Sequence, residues 1–205
     1  MPHYIIIFFS AISVFIGILA GFLQILGYIV YFRHINKGLI KPNTASWSIW
    51  AFGALLESGS YIFSTGDWIK NVLPIVCALS AVTLFILCIY RGHFSPITNF
   101  EKMLVVLDCL AILIWWFYDS ATYANLFLVV TAIISFLPIM LSVLRDPLRE
   151  YAKPWYIWTV AYLLLTFVVL IRWQKWSDLV YPVVFVVLHF GVAIFATDRF
   201  RFKFF

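Results

Sequence analysis

A chain of 205 residues in which 64% of side chains are hydrophobic and 11% charged carries more apolar surface than a soluble domain of that length can bury against itself. The composition excludes an ordinary water-soluble domain and makes lipid the expected solvent. The formal charge of +5 does not signal nucleic-acid binding, because the fourteen Lys and Arg residues are dispersed along the chain instead of forming one groove.

Hydrocarbon about 30 Å thick is crossed by roughly 20 helical residues. The sequence offers seven such stretches in chain order, at 5–32, 44–63, 71–90, 102–117, 123–144, 154–171 and 179–196. No Lys or Arg precedes the first, and its apolar run is too long for a signal-peptide core, so it is expected to stay attached. The fourth is the shortest; Asp108 interrupts it, and Trp115, Trp116 and Tyr118 close it in the manner of interfacial aromatics.

Eleven basic residues fall on one side of these spans: Arg33, Lys37, Lys41, Arg91, Lys102, Arg145, Arg149, Lys153, Arg199, Arg201 and Lys203. Only Lys70, Arg172 and Lys175 fall on the other. The positive-inside rule then predicts a multi-pass protein of the plasma (inner) membrane, with its N-terminus outside and its C-terminus cytoplasmic. Cys77, Cys88 and Cys109 all lie within predicted helices without metal-ligand spacing, and read as packed thiols.

The chain carries signs of an internal duplication. A shift of 112 positions lays Arg33 on Arg145, Lys41 on Lys153 and Pro42 on Pro154. After a four-residue gap opposite 43–46 the shift becomes 108, and Trp47 falls on Trp155, Ile49 on Ile157, Trp50 on Trp158, Trp68 on Trp176 and Pro74 on Pro182. The competing explanation is that tryptophans gather at membrane interfaces and prolines near helix starts in any such protein, which accounts for the residue types better than for their registers. The expected architecture is all-α, with seven transmembrane helices in a 3+1+3 arrangement. Residues 1–92 form the first three-helix bundle, 93–119 the linker helix and 120–205 the second bundle. A single connecting helix returns the chain to its starting side, so the two bundles are parallel, and a solute site is expected at the seam between them.

That arrangement, with a basic loop running into Lys41-Pro42-Asn43 and Ser46-Trp47, resembles the PQ-loop superfamily, which includes the SWEET sugar facilitators and the vitamin importers called PnuC. Pro138, in Phe136-Leu137-Pro138-Ile139, is similar to the proline that lets a helix of those proteins bend, while Leu26 occupies the matching place in the first copy. The resemblance implies a transporter with Pro138 as hinge. The asparagines that contact sugar in the SWEET proteins are replaced, because Pro74 and Pro182 are followed by Ile75 and Val183.

Three polar residues lie where ionisation is costly: Glu57 in the second span, Asp108 in the fourth and His189 near the centre of the seventh. An ionised acid at that depth costs on the order of 2.5–3.5 kcal/mol on insertion scales unless it is paired, protonated or wetted. Glu57 is read either as a solute or proton ligand or as a carboxyl bonded to Ser58, Ser60 or Tyr61. Asp108 is read as a tie between the fourth span and a neighbour. His189 is either a proton carrier or solute ligand, or a satisfied interior hydrogen-bonder. Trp47 with Trp50, and Trp155 with Trp158, sit three apart and share a helix face. They form either a stacking clamp for solute or an interfacial belt. Gly53, Gly59 and Ser60 read as small residues for close helix approach.

No HExxH, Walker loop, G-x-S-x-G or Cys–His cluster occurs, so neither an enzyme nor a metal or other cofactor is expected. The sequence-based reading is a carrier for a small organic solute, passive or proton-coupled, with Glu57, His189, Trp47, Trp50, Trp155 and Trp158 as substrate-binding candidates. The alternative is a non-transporting receptor, assembly factor or partner subunit of the same fold. The expected partners are the solute, the lipid bilayer and a second copy of the chain in a homo-oligomer, with no nucleic acid.

Overall fold

A computed structural model describes residues 3–40, 44–90, 97–145 and 150–197, and within them the chain folds into seven helices. These are α1 (His3–Asn36), α2 (Thr44–Thr65), α3 (Trp68–Tyr90), α4 (Asn99–Tyr118), α5 (Ala121–Arg145), α6 (Ala152–Ile171) and α7 (Ser177–Phe195). Lys41, Pro42, Asn43, Arg91, Arg149, Arg199, Arg201 and Lys203 lie outside the described residues, as does the side chain of Ser46.

Five helices, α1, α3, α5, α6 and α7, are long and apolar enough to cross a membrane, which marks the chain as membrane-embedded. The other two are less apolar: α2 contains Glu57 and several serines, and α4 contains Glu101, Lys102 and Asp108. The distribution of side chains suits lipid. On α1 the outward face is Phe15, Ile18, Phe22, Ile25 and Ile29 at helical spacing, while Ser13 and Gln24 point inward and are buried.

Several helices begin earlier than hydropathy suggests, because polar caps add a turn that an apolar count misses. The Asp67 carboxylate accepts the Ile69 amide at 3.0 Å at the start of α3. Thr98 and Glu101 form a reciprocal capping box at the start of α4, with the Glu101 amide donating to the Thr98 hydroxyl at 3.2 Å and the Thr98 amide to Glu101 Oε2 at 2.7 Å. The Ser120 hydroxyl caps α5 through the Tyr123 amide.

Packing follows a regular plan. In the first three helices α3 contacts both α1 and α2, and in the last three α7 contacts both α5 and α6. The two groups meet along α1 against α6, the most extensive contact between them, and along α2 against α5. Helix α4 rests on α5 and, less extensively, on α2.

The α1–α6 contact is close because Gly27 has no side chain: the indole of Trp158 lies over its Cα and donates to the Gln24 carbonyl at 3.2 Å. A Cβ at Gly27 would overlap three atoms of that indole. Gly27→Ala is therefore expected to destabilise the fold by about 1–3 kcal/mol through overpacking. Gly59→Ala, whose added methyl meets nothing within 4 Å, should be neutral or slightly stabilising. Thermal unfolding of the two variants in one detergent checks the contrast, and equal behaviour would refute it.

Pro182 lies inside α7 and lacks the N–H that would bond the Asp178 carbonyl one turn back. That carbonyl accepts the Tyr61 hydroxyl instead, at 2.8 Å, tying α2 to α7.

Candidate functional site

Side chains from all seven helices line a partly open cavity of about 90 Å³. Tyr28 comes from α1; Trp47, Trp50, Gly53 and Glu57 from α2; Pro74 and Cys77 from α3; and Leu104 and Asp108 from α4. Thr131 and Phe136 come from α5, Trp155, Trp158 and Tyr162 from α6, and Tyr181, Phe185 and His189 from α7. All six substrate-binding candidates thus line one space. Pro138 does not: it sits within unbroken α5 on an exposed face, two residues beyond Phe136.

Glu57 is 6% exposed, and its Oε1 has no hydrogen-bond partner. Two of the three neighbours read from the sequence, Ser60 and Tyr61, are engaged elsewhere. Ser60 donates to the Glu57 backbone carbonyl at 3.0 Å and accepts from Asn125 at 3.1 Å, and Tyr61 reaches Asp178. With Ser60 and Tyr61 bonded to other partners, the Glu57 carboxyl is left to line the cavity.

Asp108 ties α4 to α5, accepting the Thr131 hydroxyl at 2.9 Å, and its carboxyl also lines the cavity. Gly53 makes room for it, since a Cβ there would come within 3.1 Å of Asp108 Oδ2, whereas Gly59 faces open space.

His189 Nδ1 is 2.7 Å from the Phe185 carbonyl, which only accepts, so Nδ1 carries the proton and the neutral ring presents Nε2 as an acceptor. Aromatic rings surround it. Tyr162 stacks at 5.0 Å, and Phe136, Trp155 and Trp158 lie with centroids at 5.4, 5.5 and 5.8 Å.

Trp47, Trp155 and Trp158 are 4%, 2% and 3% exposed, so they belong to the interior and not to the exposed surface, where Trp116, Trp173 and Trp176 stand. Within each pair the indoles meet edge to face. Trp47 and Trp50 are 5.1 Å apart at 80°, and Trp155 and Trp158 are 5.1 Å apart at 88°.

The ends of the bundle close in chemically different ways. At one end Lys70 on α3 and Asp178 on α7 form a fully buried ion pair at 2.7 Å, with Lys70 also donating to Gln174 at 3.0 Å. Arg172 pairs with Asp67 and donates to Ser13 at 3.2 Å. Lys175 donates to the Ser64 carbonyl and to Thr122, both at 2.8 Å.

At the other end Glu150, between α5 and α6, accepts the Trp155 indole N–H at 3.1 Å and the Tyr31 hydroxyl at 3.3 Å. Burial pushes its carboxyl up to about 7, against an ordinary value of 4.5, with those two hydrogen bonds opposing the rise. His34 stacks on Tyr151 beside it at 3.8 Å.

The sequence reading missed Tyr28, Cys77, Tyr162 and Tyr181. The Tyr162 hydroxyl reaches Cys77 Sγ at 3.6 Å and Tyr181 at 3.1 Å, forming a polar strip on the cavity wall. Interior tyrosines in a chain with eleven of them carry no distinguishing spacing. Among the described residues no group of His, Cys, Asp and Glu is arranged to hold a metal ion, and the three cysteines are free thiols. Compared with known proteins, the chain matches no family model, no curated protein and no solved structure.

Proposed function

We propose that the protein is a membrane carrier for a small organic solute, held between two parallel three-helix repeats near the midplane of the bilayer. The observation that carries this reading is the unpartnered, buried carboxyl oxygen of Glu57 beside a cavity shared with His189 and four indoles. A solid seam of Leu, Phe and Val would have favoured a non-transporting scaffold instead.

Several features support the repeat. The packing plan of α1–α3 recurs in α5–α7, and the contact of α1 with α6 has its counterpart in that of α5 with α2. The two indole pairs share one geometry. Trp68 and Trp176, aligned by the shift of 108, stand at the starts of α3 and α7 with exposures of 64% and 65%. Lys70 and Asp178 are also aligned by that shift, and they touch each other, as residues beside a pseudo-twofold axis would. The resemblance to the PQ-loop superfamily rests on this architecture.

The proposed orientation puts the Glu150 end in the cytoplasm and the Lys70 end outside the cell membrane. It draws support from Lys70, Arg172 and Lys175, the only basic residues assigned outside, because all three have partners within the protein. All seven helices span the bilayer in this reading, the acidic side chains of α2 and α4, Glu57, Glu101 and Asp108, being buried against their neighbours.

A thermal-shift screen of purified protein against sugars, vitamins, amino acids, nucleosides and amines identifies a ligand, since a solute bound only by the folded state raises the melting temperature. Uptake of that ligand into proteoliposomes is expected to be abolished in Glu57→Gln and in His189→Ala, with both variants still folded. Undiminished uptake in both would remove the assigned site.

A further inference from the structure

We propose that the cavity selects a compact organic cation bearing N–H donors, a protonated amine or a guanidinium without a carboxylate, bound between the Glu57 carboxylate and the surrounding aromatic faces. This rests on the carrier reading for the purpose of the site, but its evidence is the inventory of donors and acceptors.

Most of the donors on the wall are spent. Tyr162 donates to Cys77, Tyr181 to Tyr162, Trp158 to the Gln24 carbonyl and Trp155 to Glu150. The acceptors are open. Glu57 Oε1 has no partner, and the neutral His189 ring offers Nε2. Two carboxyls, Glu57 and Asp108, line the space, and among the described residues no Lys or Arg does. Lys70 and Arg172 are held by Asp178 and Asp67 at one end of the bundle.

An anion would therefore meet two acids with no counter-charge, and a free amino acid would bring its own carboxylate into the same conflict. A neutral polyol needs donors as well as acceptors from the wall, and few are left. A cation with N–H groups satisfies Glu57 and meets the faces of indole and phenol rings, which attract positive charge most strongly where water is excluded. Size narrows the class further. The cavity of about 90 Å³ is smaller than the ~150 Å³ engineered cavity that admits benzene. An alkylamine or a guanidinium fits this conformation, and a nucleoside does not.

Purified full-length protein titrated with methylguanidine and n-propylamine should show a saturable rise in melting temperature. Glucose, propionate and alanine at the same concentrations should give none. Glu57→Gln should weaken methylguanidine binding at least tenfold. A saturable change in the tryptophan fluorescence of the wild type with methylguanidine, absent with propionate, provides a readout that needs no variant. A rise with glucose or propionate and none with the two cations would overturn the inference, as would undiminished binding in Glu57→Gln. Labelled methylguanidine in proteoliposomes separates the two readings. Binding without uptake refutes the carrier and leaves the cation site standing, whereas uptake of glucose but not of methylguanidine does the reverse.

Discussion

Lys70→Met is expected to cost about 3–5 kcal/mol of stability, the usual range for removing one partner of a fully buried ion pair. Both side chains have zero exposure, so Asp178 cannot recover by hydration. Its Oδ1 already lacks a partner, and without Lys70 its Oδ2 would lose the 2.7 Å contact as well. The second half of the prediction is that Lys70→Met combined with Asp178→Leu loses much less than Lys70→Met alone, because no buried charge is then left uncompensated. The Lys70 hydrogen bond to Gln174 is lost in both cases and does not distinguish them. Thermal unfolding of wild type, both single variants and the double variant in one detergent gives the coupling directly. A Lys70→Met protein as stable as the wild type would mean that Asp178 is wet or protonated there.

The protein should also lose stability as pH rises from about 5 to about 8, with Glu150 as the cause. The folded-state carboxyl titrates near 7, and an exposed one near 4.5. Between these values the folded chain holds a proton that the unfolded chain has released, so the stabilising contribution is complete below about 4.5 and disappears as pH passes through 7. Each pH unit in that window contributes up to about 1.4 kcal/mol, and partial exposure of Glu150 reduces the total to on the order of 2 kcal/mol. Glu150→Gln retains an oxygen to accept from Trp155 or Tyr31 and cannot ionise. Its melting temperature should therefore change less between pH 5 and pH 8, and should exceed that of the wild type at pH 8. Parallel pH profiles for the two proteins would show that the carboxyl is not the source.

How far the sequence reached depended on whether a signal was local or distant. Helices were legible because lipid imposes a length and an apolar composition on each segment independently. The indole pairs at 47 and 50 and at 155 and 158 were legible because a spacing of three fixes a shared face whatever the tertiary packing. The ion pair of Lys70 with Asp178 was not, since 108 residues separate its partners and each reads as an ordinary charge at a helix end. The same applies to Gly27, whose significance comes entirely from an indole 131 positions away in sequence. Glu57 shows the limit of local reasoning: Ser58, Ser60 and Tyr61 were its natural candidates by proximity, yet Ser60 and Tyr61 bond to backbone carbonyls, leaving the carboxyl open to the cavity. Asp108 was anticipated as a tie between helices, while its share in the cavity depended on the packing of α4 against both α5 and α2.

The seat of Trp158 on the bare backbone of Gly27 has a mechanical consequence. Sliding or turning α1 past α6 would strip that indole from its seat, so under the carrier reading their shared border is the expected spine. In the proposed carrier, opening would swing on that side, with α2 and α5 parting at the far border, where Trp50 stacks on Phe136 and α4 bridges the two helices. Helix α4, lying against both, would then have to travel with one of them for the space beside Glu57 to open.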